Sequence, residues 1–368
     1  MKCRFLLAVP MAVGLSASTC WGQTQDPSID RLLSKLPAPE KLAKPPMEKA
    51  IQPNDPIEKD PALKQIIKAE QARNFSKALT LSRGLTDKYP NSPAAQCLRG
   101  ILAWRTRQYR ESSESFRRAA KIRPNLAFAY LGLALVENAQ GRPAAAIPHL
   151  EQLAKLEPKA AFTYYALSDC ALRVGRKQSS ADYARKATAI DPSSAVYWLQ
   201  LARAEKAMGH KDQTLNAITR AAEVSPDNGV LLATVGFSYI NLNRIPQAIP
   251  PLQRAVRLLP NDYLVRAQLG YCLTATGSVD AGIGHLRKAT SLNSNYGPAW
   301  EHLGLAYQRQ GRHKDAVSSF ERATRLMPGA TNPWQHLAVE YQALGRTADA
   351  QRAAARAGKH PQPVKKGG

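Results

Sequence analysis

The side chains of this chain best suited to ligate a metal or attack a substrate are few and widely spread. His302 and His336 stand 34 residues apart, and Cys97, Cys170 and Cys272 are farther apart still. A structural zinc site needs about four closely grouped ligands, usually with pairs of them only a few residues apart. No such spacing occurs, so the histidines read as a surface pair and no metal is expected. Gly-x-Ser-x-Gly, a phosphate-binding glycine loop and His-Glu-x-x-His are all absent, and with them the usual nucleophile, phosphate and metalloprotease chemistries. The expectation is a non-enzymatic chain without a cofactor.

What remains is the chemistry of binding. The formal net charge is +23, and basic residues crowd one stretch: Arg105, Arg107, Arg110, Arg117, Arg118, Lys121 and Arg123, opposed by Glu111 and Glu114. Such a patch is either a solvated positive surface or an attachment site for an anionic envelope polymer or lipid headgroups, which salt would weaken. Nucleic acid is not expected as a partner, because no nucleic-acid-binding module is visible.

The elements that hold these residues follow from a repeat. Pro90, Pro124, Pro158, Pro192, Pro226 and Pro260 fall at 34-residue intervals, Ser294 takes the next mark and Pro328 the one after. A strict period of this length denotes one supersecondary unit copied end to end. Within the clearest copy, Trp300, Leu303, Gly304 and Tyr307 make one helical stripe. Gly311 ends that helix as a residue free to enter the left-handed region. Ala316, Phe320 and Ala323 form a second stripe, and Pro328 closes it. The turn mark reads Gly141, Gly175, Gly209, Asn243, Gly277, Gly311 and Gly345, with Arg73 and Arg107 on the same mark in the first two units. The first-helix anchor reads Tyr130, Tyr164, Trp198, Leu232, Arg266, Trp300 and Trp334.

This pattern resembles the tetratricopeptide repeat over about residues 59–362. The resemblance implies an all-α solenoid, a superhelix of about nine helix–turn–helix units, whose first helices line a concave groove. Carried onto this chain, the groove positions include Phe128, Leu131, Leu135, Phe162, Tyr165, Leu199, Arg203, Phe237, Ile240 and Tyr271, with Trp104 at the N-terminal end. Two readings of this lining stand. Some of these residues pack against neighbouring repeats or the tether, or the lining is a hydrophobic trough for a partner protein or peptide. With Glu301, Gln308, Arg309, Gln335 and Gln342 near the end, the groove is expected to be greasy toward its N-terminal half and wet toward its C-terminal half. Leu199 and Ala233 stand where a carboxylate clamp of this family would need basic or amide groups, so that activity is not implied.

The ends differ from the array. Residues 1–22 contain no acid, and Lys2 and Arg4 precede the apolar run Phe5 to Leu15 and then Ser16-Ala17-Ser18. That order matches a secretory signal peptide and predicts an exported, periplasmic or secreted protein. Cys20 offers a lipid-anchor alternative, but Thr19 before it fits such processing poorly. Residues 23–58 read as a proline-rich tether, and residues 363–368 as a basic tail. No transmembrane span is predicted, since the apolar run is shorter than the roughly 20 residues a span needs. Export permits disulfides. Even so, an odd count past the signal, with the cysteines two and three repeats apart, predicts free, mostly buried thiols.

Overall fold

A computed structural model describes residues 55–358, and the readings for residues 1–54 and for the basic tail lie outside the described residues. The described residues are α-helical, apart from short connections and a 3₁₀ turn at Pro56–Lys59. They fall into two compact units, one ending at Val224 and one beginning at Ser225. The first unit holds α1 (Pro61–Gln71), α2 (Phe75–Lys88), α3 (Pro93–Arg105), α4 (Tyr109–Ile122), α5 (Ala127–Ala139), α6 (Pro143–Leu156), α7 (Ala161–Arg173), α8 (Lys177–Ile190), α9 (Ala195–Ala207) and α10 (Lys211–Glu223). The second holds α11 (Gly229–Asn241), α12 (Ile245–Leu258), α13 (Tyr263–Ala275), α14 (Val279–Leu292), α15 (Gly297–Arg309), α16 (His313–Leu326), α17 (Thr331–Ala343) and α18 (Thr347–Gly358). Odd and even helices pair as hairpins, nine among the described residues, and within each unit successive hairpins stack. This is the expected all-α solenoid, built from 34-residue units.

Each hairpin is organised around the point where its two helices cross. In the α13–α14 hairpin, a Cβ placed on Gly282 would lie 2.9 Å from the Gly270 carbonyl oxygen and 2.3 Å from Thr274 Oγ1. In α15–α16, a Cβ on Gly304 would meet the Phe320 ring at 2.6 Å. The small residues therefore let the backbones close, and Phe116, Leu252, Leu286 and Phe320 fill the space beside them. Where a serine replaces glycine or alanine it bonds across the crossing, Ser112 Oγ donating to the Gly100 carbonyl at 2.7 Å and Ser180 Oγ to that of Ser168 at 2.9 Å, whereas Thr214 donates back to the His210 carbonyl.

The turns and the ticks of the period have their own chemistry. Asn243, Arg73 and Arg107 have φ of 57°, 56° and 61°, so the two arginines hold the left-handed turn despite their Cβ atoms. After the turn, the sixth residue's N–H returns to the first residue's carbonyl, as Arg312 does to Tyr307 and Arg346 to Tyr341. The same two arginines lie over those rings at 4.4 and 4.3 Å. In two earlier hairpins the equivalent pairs are polar, an ion pair of Arg142 with Glu137 at 2.8 Å and a contact of His210 Nδ1 with Glu205 at 2.9 Å.

The tick residue contributes its carbonyl. Trp198 Nε1 donates to Pro192 at 2.8 Å, Trp300 to Ser294 at 2.9 Å and Trp334 to Pro328 at 3.2 Å. Tyr130 and Arg266 do the same to Pro124 and Pro260. Leu232 has no donor, and Arg254 from α12 supplies one to Pro226 at 3.1 Å instead.

The tether reading differs from the structure at its end. Ile57 is fully buried in the core of the first unit, Asp55 accepts from Ser92 Oγ at 2.7 Å, and Asp60 accepts from Lys88 and Tyr89. Residues 55–58, read as tether in the sequence, therefore pack on the first unit. Cys97, Cys170 and Cys272 are buried and form no disulfide among the described residues, as expected. Burial pushes the Cys97 and Cys272 thiols up to about 12.

Two stability outcomes follow from this packing. Gly282→Ala should destabilise its unit by about 1–3 kcal/mol, the range for overpacking. Gly284→Ala, on the same helix with nothing within 4 Å, should stabilise by about 0.5–1 kcal/mol. Urea denaturation of both variants decides it, and equal effects would contradict the crossing geometry. Arg107→Gly should raise stability by about 1 kcal/mol through relief of the left-handed strain, and an unchanged or lower denaturation midpoint would count against that reading.

Candidate functional site

The first-helix face of the first unit is more closed than the sequence suggests. Tyr165, Leu199, Leu135 and Phe128 are 0%, 1%, 2% and 6% exposed. Tyr165 packs on Tyr197 at 5.6 Å and Phe162 at 6.4 Å, and Phe128 on Phe116 at 6.4 Å. Tyr165 and Phe128 join neighbouring hairpins, and all four side chains are buried and offer almost no surface to a partner. Trp104, Leu131 and Phe162 remain half-buried against the same cores.

Beside them runs a polar ladder. Buried Asp169 accepts from Arg203 at 3.0 Å, and Arg173 reaches it at 3.7 Å. Arg173 also donates to Asn138 Oδ1 at 3.2 Å. Arg203, expected as a groove residue, is thus anchored by a carboxylate and by Gln200.

In the second unit the first helices leave apolar side chains open. Phe237 on α11, Tyr271 on α13 and Leu305 on α15 are half-buried, and Val339 on α17 is 55% exposed. They occupy one equivalent position in four successive hairpins, and Ile240 lies one turn beyond Phe237. The expectation of a greasy N-terminal half and a wet C-terminal half is therefore corrected. The large apolar groups of the first unit are largely consumed in packing, and the open apolar row belongs to the second. Leu305 and Val339 were missed by the sequence reading, although stepping forward 34 residues from Tyr271 reaches both.

Charge is scarce on this face. The four first helices of the second unit carry Arg266, Glu301, Arg309 and Glu340 as their Asp, Glu, Lys and Arg residues. Arg266 is bonded to the Pro260 carbonyl and Arg309 to that of Thr274. Glu340 is buried and held by Gln308 at 2.6 Å and His313 at 2.8 Å. Glu301, half-buried one turn before Leu305, has no hydrogen bond or ion pair among the described residues. Burial holds its carboxyl above the usual range. His302 stacks on Tyr271 at 4.7 Å, its Nδ1 is buried without a hydrogen-bond partner, and burial lowers it to about 4. His336 stacks instead on Phe320. Among the described residues no cluster of three metal-ligating side chains occurs.

The basic stretch divides by element. Arg105 is paired with Glu70 and lies over the Phe75 ring, Arg107 forms the turn, and one terminal nitrogen of Arg123 is buried without a partner. Arg110 pairs with Glu114 in a strongly exposed contact. Arg117, Arg118 and Lys121 stand exposed on α4 with no ion pair among the described residues. Glu111 is not a simple counter-charge to this patch: Arg83 and Arg99 grip it at 2.7 Å each, Arg83's hydrogen bond leading, and hold its carboxyl down to about 2. No described helix is long and apolar enough to cross a membrane.

Two family models, both described as tetratricopeptide repeat, match the chain, one at residues 63–127 and 129–195 and the other at residues 297–330. Among solved structures, the chain is similar to YrrB, described as a TPR protein with an unusual peptide-binding site. The match has 21% identity, 50% of this chain and 95% of that one, and a TM-score of 0.44. It is similar to MamA residues 41 to the end from Desulfovibrio magneticus RS-1, at 16% identity over 47% of this chain and 97% of that one, with a TM-score of 0.43. It is also similar to the APC/C hetero-tetramer Cut9-Hcn1, at 18% identity over 79% and 57%, with a TM-score of 0.40. No curated protein matches the chain.

The buried histidine gives a pH dependence with a definite sign. Its ordinary value is 6.5 and its folded value about 4, so the unfolded chain binds the proton first as pH falls. The stability that His302 contributes is complete above about pH 6.5 and is lost progressively toward pH 4. Glu301, shifted upward, acts in the opposite direction, since acid relieves the burial of its charge. The gap in urea midpoint between wild type and His302→Phe should therefore change steadily between pH 7 and pH 4.5, to the disadvantage of the wild type. A gap that stays constant across that window would show that His302 does not titrate as described.

Proposed function

Because this chain belongs to the tetratricopeptide-repeat family, we propose that it is a non-enzymatic scaffold that captures a partner protein or peptide on the first-helix face of its second unit. The observation that carries this reading is the row Phe237, Tyr271, Leu305 and Val339, apolar and still open to water after its hairpins have packed. Apolar surface left exposed in a repeated line is costly unless something covers it. Aromatic members of such a row tend to dominate binding energy. Capture would be non-covalent, by burial of a partner's apolar side chains along the row. The signal-like residues Lys2, Arg4 and Phe5 to Leu15 support export, placing this capture in a periplasmic or extracellular setting.

A second reading rests on Arg117, Arg118 and Lys121, exposed and unpaired on α4. It is an adaptor to anionic envelope polymers or headgroups, and it predicts binding that salt removes.

Affinity capture with the full chain separates the two. Proteins held by wild type at about 0.5 M salt should be lost by the Leu305→Glu and Val339→Glu variants and kept by a chain carrying Arg117→Glu and Arg118→Glu. The Val339 and arginine changes lie on open surface and should move the unfolding free energy by less than about 1 kcal/mol; Leu305 packs in part against the core of its unit, so Val339→Glu alone serves as the folding control. Retention unaffected by Leu305→Glu and Val339→Glu, or abolished by the arginine changes, would overturn the groove reading.

A further inference from the structure

The open row of the second unit has one chemical irregularity, and it indicates what kind of segment the row accepts. Glu301 sits on α15 one helical turn before Leu305, so the two share a face. It is half-buried and bonded to nothing among the described residues. Burial of a carboxylate without a partner is unfavourable, and an isolated acid in an apolar strip is therefore an unsatisfied position.

The surrounding groups do not satisfy it. Arg309, on the same helix two turns on and thus about 12 Å along the axis, is committed to the Thr274 carbonyl. Arg266, on the neighbouring α13, is committed to the Pro260 carbonyl. On the other neighbour, α17, there is no lysine or arginine. His302, the adjacent residue, is neutral at physiological pH because burial lowers it to about 4. Glu301 is thus a carboxylate that no cation among the described residues reaches, one turn from Leu305, whereas Glu340 on α17 is already held by Gln308 and His313.

We propose that this face binds a partner segment in which a lysine or arginine is set between apolar side chains, the cation pairing with Glu301 and its apolar neighbours covering the row. This rests on the scaffold reading above and adds the chemistry of the occupant. The preference is a demanding one, because the chain's formal charge of +23 repels basic ligands in general. Selection of a cation here has to come from a local carboxylate rather than from the overall field. A charge-assisted hydrogen bond formed in a half-buried site should be worth about tenfold in affinity.

A random twelve-residue peptide display library, selected on the full chain and counter-selected on the Val339→Glu variant, tests both levels separately. The expected survivors carry Lys or Arg flanked by apolar residues. Synthetic copies of them should bind Glu301→Gln about tenfold more weakly than wild type by fluorescence anisotropy, while Glu301→Gln keeps its denaturation midpoint or raises it. Survivors without a basic residue, or survivors that bind Glu301→Gln as well as wild type, would overturn the inference and leave the row as a general apolar docking face. If no peptide survives counter-selection, the row is not a binding face and the scaffold reading falls with the inference.

Discussion

Everything else in this array hangs on the crossing point inside each hairpin. There the helices come close enough that small residues stand at the crossing, alanine, serine or threonine in most hairpins and glycine at Gly282, where an added methyl would meet the Gly270 carbonyl. The small residue fixes the depth of the crossing, and the large wedge beside it, Phe116 or Phe320 in some hairpins and Leu252 or Leu286 in others, locks the rotation. Once depth and rotation are set, the outward stripe of the first helix is set too. The positions of Phe237, Tyr271, Leu305 and Val339 are therefore a consequence of packing on the opposite side of their helices. The available binding chemistry is what the packed stripe leaves over.

The joints between these crossings keep a geometry while changing their chemistry. The carbonyl at the tick accepts from an indole in three units, from a phenol in one and from a guanidinium in another. In the α11–α12 hairpin, whose anchor is Leu232, the donor arrives from a different helix altogether. Ser294 can stand among prolines because the accepting group belongs to the backbone. The pair that straddles the turn also varies, as a cation over a ring in the last two hairpins, an ion pair between Arg142 and Glu137, and a contact of His210 with Glu205. The backbone return is kept also where the pair is Ala103 and Gln108 or Leu273 and Ser278, so what the joint requires is the backbone geometry, and the side chains that meet there are free to vary.

This explains what the sequence made legible and what it did not. The period, the turn residues and the alternation of small and large groups are local properties, and they gave the hairpins and even the left-handed arginines. Exposure is not local. Tyr165 and Tyr271 look alike in the sequence, on the same face of equivalent helices. Tyr165 is closed over by Tyr197 and Phe162, whereas Tyr271 lies flat against a histidine and remains half-open. Which of the two could meet a partner depends on how closely neighbouring first helices approach, and that is decided by side chains one repeat away. Arg203 reads as a free groove charge until Asp169, on the preceding first helix, is seen to hold it. The docking of residues 55–58 escaped for a similar reason: a proline-rich composition suggests a tether, but Ile57 and the flanking Asp55 and Asp60 bind that stretch to the first unit.

The three buried thiols have a use beyond filling space. Cys97, Cys170 and Cys272 lie in three different hairpins, on α3, α7 and α13. Two of them are held protonated by burial, and none can react while its hairpin is closed. Repeat arrays open locally, one or a few units at a time. Each cysteine is therefore a latch that a thiol reagent can reach only during an opening of its own part of the stack. The chain thus contains three internal clocks, two in the first unit and one in the second, by which the breathing of a solenoid could be timed at separate positions without introducing a foreign probe.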